Sequence, residues 1–149
     1  MTRRIPRRAR LWHLPRLARI LWAAEPRQRT RDRATDLTAL ARLIRRGAVL
    51  HIPGPIPAVT GPRGFIALEG SRIHALYIHP RARRQGLASR LMAAAQAHAA
   101  SLDLYTAQDN APARAFYAAH GFHATAFTNG EGNDDGLPDM RLVWKRNAA

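Results

Sequence analysis

Arg83-Arg84-Gln85-Gly86-Leu87-Ala88 joins an apolar run ending at Ile78 to an alanine-rich segment. Successive backbone amides at a helix N-terminus converge on an anion, and the helix dipole favours negative charge there. Gly86 lets the backbone approach a phosphate closely, Ala88 does not crowd it, and Arg83 and Arg84 add positive charge. A pyrophosphate is the ligand such a turn would hold. Taken alone, the same residues also describe an arginine-rich surface turn. A strand before Pro80 and a helix after Gly86 are the context that anion binding requires. Downstream, Asn110 and Tyr117 are seven residues apart, two turns of a helix, so their side chains lie along one face. A tyrosine hydroxyl can supply a proton without carrying charge in the ground state. Each residue also has a structural use, Asn110 as a helix N-cap and Phe116-Tyr117 as core aromatics.

The elements that must position these residues follow from periodicity and breakers. Residues 3–10 read as a short edge strand, limited by Pro6. Leu14, Leu17, Ile20 and Leu21 recur at helical spacing within Trp12–Ala24, and Leu37, Leu40, Ala41 and Ile44 do so within Thr30–Arg46, which Gly47 stops. Strands are expected over Ala48–Ile52, Gly64–Glu69 and Arg72–Ile78, the last two joined by a tight turn at Gly70-Ser71. A helix is expected over Gly86–Ala100, a strand over Leu102–Thr106, and a helix over Ala111–His120 with Pro112 in its first turn. Two closing strands, near Ala124–Thr128 and Arg141–Trp144, flank a polar, glycine-rich loop.

Arg83-x-x-Gly86-x-Ala88 and the downstream block Asn110-x5-Phe116-Tyr117-x3-Gly121-Phe122 together resemble the two cofactor-binding motifs of the GNAT superfamily, the acetyl-CoA-dependent N-acetyltransferases. The resemblance is strongest over residues 64–122, and the element order extends it to the whole chain as one domain, 1–149. It implies an α/β fold with a mixed, mostly antiparallel central sheet of about six to seven strands, flanked by about four helices. It implies acetyl-CoA as co-substrate and no metal. Arg83, Arg84, Gln85, Gly86, Leu87, Ala88 and Ser89 would then surround the pyrophosphate. The backbone of Leu76, Tyr77 and Ile78 would pair with the pantetheine arm as an added strand does. Asn110 would bond that arm, and Tyr117 would be the general acid that protonates the departing thiolate.

N-acetylation also needs a neutral amine, and an alkyl amine with a pKa of about 10 must first lose a proton. The two central strands offer His74 and Tyr105 where many relatives carry a glutamate. Asp103 shares a strand face with Tyr105. His74 is the best side-chain base, since imidazole accepts a proton near neutral pH. A structural hydrogen bond is its alternative role, and deprotonation through water needs no dedicated base. The loop acids Glu131, Asp134, Asp135 and Asp139 stand out in so basic a chain and could attract a cationic amine. They could equally be a solvated hairpin loop, and the full pattern of a calcium loop is missing.

The 149 residues carry a net charge of +14 and no cysteine. Disulfides and thiolate chemistry are excluded. Residues 1–75 hold 16 arginines against 4 acids, while residues 76–149 hold 8 basic and 6 acidic groups. Only one basic residue is lysine and alanine is abundant, so the excess reads as the compositional bias of a GC-rich bacterium. Nucleic-acid binding is disfavoured, because aromatic residues are not interleaved with the N-terminal arginines. No apolar run reaches the ~18 residues of a membrane span, and Met1–Arg10 is followed by no signal-peptide core. A cytoplasmic protein is expected. Its partner would be a small-molecule or peptide amine acceptor, and the family also makes a homodimer an expectation. A domain that binds acyl-CoA as a sensor or partner module, without turnover, is the competing function. A basic nucleic-acid-binding protein is the third.

Overall fold

The computed structural model describes residues 5–24, 32–55, 61–132 and 136–147. Seven strands form one sheet in the order β1-β2-β3-β4-β5-β7-β6. They are β1 (Arg7–Arg8), β2 (Val49–Ile52), β3 (Gly64–Glu69), β4 (Arg72–Ile78), β5 (Ser101–Ala107), β6 (His123–Phe127) and β7 (Asp139–Lys145). Among the described residues four α-helices accompany them: α1 (Leu14–Ala24), α2 (Arg33–Arg45), α3 (Leu87–Ala97) and α4 (Ala111–Ala119). All neighbours pair antiparallel except β4 with β5, which are parallel. The mixed α/β architecture expected from the sequence is the one observed.

Both faces of the central strands are covered, which is why Gly64–Glu69 is almost continuously apolar. On one face Leu17, Ile20, Leu40 and Ile44 of α1 and α2 pack against Val49, Phe65 and Ala67. On the other, Leu87, Leu91 and Met92 of α3 pack against Ile66, Ile73, Leu102, Leu104 and Leu142, with Phe116 and Tyr117 of α4 at the margin. Each fully buried Leu, Ile, Val, Phe or Met side chain among them contributes about 1.5–3 kcal/mol.

Two boundaries differ from expectation for identifiable reasons. The first strand keeps only Arg7 and Arg8 in register with His51 and Leu50, because the Arg10 amide turns to His13 Nδ1 at 2.9 Å and the chain enters a 3-10 turn at Leu11–His13. Residues 3 and 4 lie outside the described residues, as do Thr30 and Arg31 of the expected second helix. The third helix stops at Ala97, three residues early. Arg146 holds the Gln96 carbonyl at 2.5 Å and the Ala99 carbonyl at 3.1 Å, drawing the end of the helix toward the C-terminal strand.

Two features of β4 matter for function. β4 and β5 share a single paired register, Arg72 with Asp103, beside a bond from the Asp103 amide to the Ser71 carbonyl at 2.8 Å. Beyond that vertex no register joins them among the described residues, so the β4 edge from Leu76 to Ile78 lines a cleft. The register of β3 with β4 also shifts between Ala67 and Leu68, which leaves His74 as an extra residue. Such a bulge puts two consecutive side chains on one face. His74 therefore joins Ala75 on the α1/α2 side, while Ile73 and Leu76 pack on the α3 side.

Candidate functional site

The open end of the cleft is the turn between Ile78 and α3. Gly86 has φ +74° and is the N-cap of α3, with no side chain capping the helix and no acid in its first turn. The amides of Leu87, Ala88 and Ser89 are thus without an intrahelical acceptor. Arg84, with φ +64°, is the only non-glycine residue of positive φ among the described residues. A non-glycine residue held there costs about 1–3 kcal/mol, and such strain clusters at ligand clamps. Arg84 and Gly86 stand in the left-handed region with Gln85 between them, in a turn of the kind that can present backbone amides to an anion. A Cβ built on Gly86 meets nothing within 4 Å, so the space above the turn is open to a ligand. The local field is positive: burial first, then Arg16, Arg81 and Arg83, lowers the His79 pKa. A pyrophosphate fits these residues.

Several side chains fix the turn. Arg63 donates to Gln85 Oε1 at 3.1 Å and to the Pro53 carbonyl at 3.2 Å. Gly64 lets β3 approach β4, since a Cβ there would lie 2.5 Å from Ile78 Cδ1 and 3.0 Å from the Tyr77 carbonyl. Ser89 Oγ lies 3.1 Å from His120 Nε2, tying the first turn of α3 to the end of α4. None of Arg63, Gly64 or His120 was singled out from the sequence. Their partners are too distant along the chain for any spacing rule to join them.

Asn110 precedes α4 as its N-cap, and Tyr117 stands on α4, packed on the α3 side of the sheet. Asn110 Oδ1 accepts from the Ala113 amide at 3.2 Å and caps the helix, as its type and place allow. The cap uses the carbonyl oxygen, and the amide Nδ2 is a separate donor. Tyr117 is half-buried, with its ring 5.3 Å from Phe116 and 5.5 Å from Phe122.

On the opposite face, His74 Nε2 is 3.1 Å from Glu69 Oε1. Glu69 Oε2 also meets Arg46 at 2.5 Å and Arg42 at 3.7 Å. The His74 bond first, and then the two arginines, hold the Glu69 carboxyl below the usual range. Asp103 is buried and bound by both Arg72 and Arg141, and its pKa is lowered chiefly by the Arg72 bond. Of the acidic loop, Glu131 is exposed and Asp134 and Asp135 lie outside the described residues. Asp139 accepts from the Thr128 hydroxyl at 2.5 Å. No cluster of three or more potential metal ligands occurs among the described residues. No helix among them is long and apolar enough to cross a membrane.

Residues 57–122 match the family model described as Acetyltransferase (GNAT) family. Among solved structures, the chain is similar to a GNAT-family acetyltransferase from Bacillus cereus ATCC 10987. The TM-score is 0.77 at 17% identity, over 95% of this chain and 96% of that one. It is similar to the apo form of YjaB from Escherichia coli, with TM-score 0.69, 24% identity and coverage of 93% and 95%. The PaiA N-acetyltransferase from Thermoplasma acidophilum, in complex with coenzyme A, gives TM-score 0.68 at 15% identity and coverage of 95% and 98%. Among curated proteins none matches in sequence. At these identities the solved structures establish the fold, and the family match falls on the segment that carries the turn, the cleft and α4.

Proposed function

We propose that this chain, whose residues 57–122 match the GNAT acetyltransferase family model, is an acyltransferase of that family and transfers an acetyl group from acetyl-CoA to a primary amine. Support comes first from the α3 N-terminus behind Arg84 and Gly86, which no side chain caps, beside the stretch of β4 that shares no register with β5 among the described residues. In this reading the turn Arg83–Ser89 holds the pyrophosphate. The β4 edge at Leu76, Tyr77 and Ile78 receives the pantetheine arm as an added strand. Asn110 Nδ2 donates to that arm, and the backbone near Tyr77 and Ile78 polarises the acetyl oxygen.

Acetyl-CoA supplies an activated acyl carbon: the amine lone pair forms the C–N bond there and the C–S bond breaks. The sulfur takes its proton from the Tyr117 hydroxyl, and the amine sheds its own. His74 is the proposed acceptor of that proton, directly or through water. Donation of Nε2–H to Glu69 leaves Nδ1 as the basic atom, and the carboxylate orients the ring. The negative charge of Glu131, Asp134 and Asp135 would attract a cationic amine. A homodimer in the cytoplasm belongs to the same reading, and light scattering tests the assembly.

Release of free thiol from acetyl-CoA in the presence of an amine panel tests the activity. Turnover that depends on acceptor supports transfer. Tight coenzyme A binding with no turnover across a broad panel would instead favour a sensor or partner-binding role.

A further inference from the structure

Arg72, Asp103 and Arg141 meet at the vertex where β4 and β5 part. Arg72 donates from Nε to Asp103 Oδ1 at 3.0 Å and from Nη2 to Oδ2 at 2.8 Å. Arg141 Nε donates to the same Oδ2 at 3.0 Å. The Asp103 side chain is only 7% exposed, while those of Arg72 and Arg141 are 39% and 37% exposed. Two cations thus share one anion, and the surplus charge lies on the solvent side. Arg72 Nη1 and Arg141 Nη2 take no part in these bonds. Tyr105 completes the patch, with the Arg72 guanidinium 4.9 Å from its ring centre and Arg141 opposite it across the strands.

The patch lies on the face an acceptor must use. Leu102, Leu104, Met140 and Leu142 point into the core beneath α3, so the alternating Asp103, Tyr105 and Arg141 point to the other face. With α3 and its phosphate turn on one side, an amine reaches the cleft from the other. There the carboxylates of Asp103 and Glu69 are each outnumbered by arginines, Glu69 by Arg42 and Arg46. Neither is spare to hold a second ammonium group, whereas Arg72 Nη1 and Arg141 Nη2 make no hydrogen bond among the described residues, Arg141 Nη1 reaching Thr125 Oγ1 at 3.4 Å. Guanidinium forks match carboxylates in a planar, often bidentate geometry.

We propose that Arg72 and Arg141 bind an anionic group of the acceptor, so that the preferred acceptors are amines carrying a nearby carboxylate. This rests on the acetyl-transfer reading above and names its acceptor class. The carboxylate belongs either to a free amino acid or to an acidic first residue of a peptide. A polyamine is disfavoured at the same patch.

Thiol release by the full chain is compared for L-leucine against L-leucinamide, L-glutamate against spermidine, and a short amidated peptide beginning with Glu against one beginning with Lys. Rates are referred to the neutral-amine fraction of each acceptor. Within the pairs that turn over, the carboxylate member has a kcat/KM about tenfold or more higher. The first pair reports a free amino acid, the third an acidic peptide. Arg141→Gln raises KM for the carboxylate acceptor about tenfold and leaves KM for its partner and the coenzyme A Kd within about twofold. Arg141→Lys, which keeps the charge without the fork, recovers part of the loss and guards against a folding defect. Preference for the amide or spermidine would overturn the proposal. So would an equal loss on both members in Arg141→Gln, or coenzyme A binding with no turnover of any carboxylate-bearing acceptor. Failure to bind coenzyme A at all would overturn the acetyl-transfer reading itself, and this proposal with it.

Discussion

His51 gives the fold a pH dependence that can be worked from its surroundings. It sits in β2, 4% exposed, and its Nδ1 has no hydrogen-bond partner among the described residues. The His13 ring lies 4.3 Å away, centre to centre. Burial first, then the nearby His13 and Arg7, pushes the His51 pKa down from 6.5 to about 4. The folded protein therefore keeps the ring neutral where the unfolded chain would protonate it. Stability from this group is fully present above pH 6.5, declines as pH falls toward 4, and levels off below. At 1.36 kcal/mol per pKa unit, the decline totals on the order of 3 kcal/mol. His13 is lowered too, by burial first, and acts in the same direction. The lowered carboxylates, Asp103 and Glu69 among them, lose their contribution only below a pH of about 4, so the two windows separate. Urea unfolding followed by tryptophan fluorescence at pH 7.5, 6.5, 5.5 and 4.5 reads the slope. His51→Leu is expected to unfold within about 1 kcal/mol of the parent at pH 7.5 and to lose most of the decline below 6.5. An unchanged slope in His51→Leu would refute the assignment.

Asp103→Ala leaves Arg72 and Arg141 facing each other, and is expected to destabilise the chain by about 2–3 kcal/mol in urea unfolding at neutral pH. That is below the cost of breaking a fully buried pair, because the arginines are partly solvated. Asp103 has a depressed folded pKa, so its contribution holds above pH ~4 and disappears as pH falls through the folded value; the difference between parent and variant should shrink below that pH. Tyr117→Phe should lower kcat by about 10²–10⁴-fold with the coenzyme A Kd nearly unchanged. Full turnover in that variant would remove Tyr117 as the acid. Gly86→Val forces a branched side chain into a left-handed backbone at a cost of about 1–2 kcal/mol. It should weaken coenzyme A binding by more than that stability loss explains, which calorimetry and thermal melting separate.

Local patterns carried much of the architecture. The apolar run of Gly64–Glu69, the Gly70-Ser71 turn and Arg72–Ile78 appear in the structure as one hairpin. The turn between β4 and α3 was legible because glycine, small and basic residues stand at fixed spacing between a strand and a helix. What stayed hidden depends on pairing across the chain. Nothing local to Arg72 or Asp103 says that β4 and β5 share their one register there among the described residues. Charged residues on strands read as solvated, so a carboxylate shared with Arg141, 38 positions away, gave no sequence signal. The bulge at His74 is a register shift against β3, invisible to strict alternation. Arg146 bonding the Gln96 and Ala99 carbonyls likewise ends a helix that alanine content alone would extend.

Titration of the full chain with coenzyme A in a calorimeter tests the central claim most directly. The turn at Arg84–Gly86 and the open β4 edge predict saturable one-to-one binding that Gly86→Val weakens by about tenfold or more. Absence of saturable binding by a folded sample, or equal binding by the parent and Gly86→Val, would contradict it.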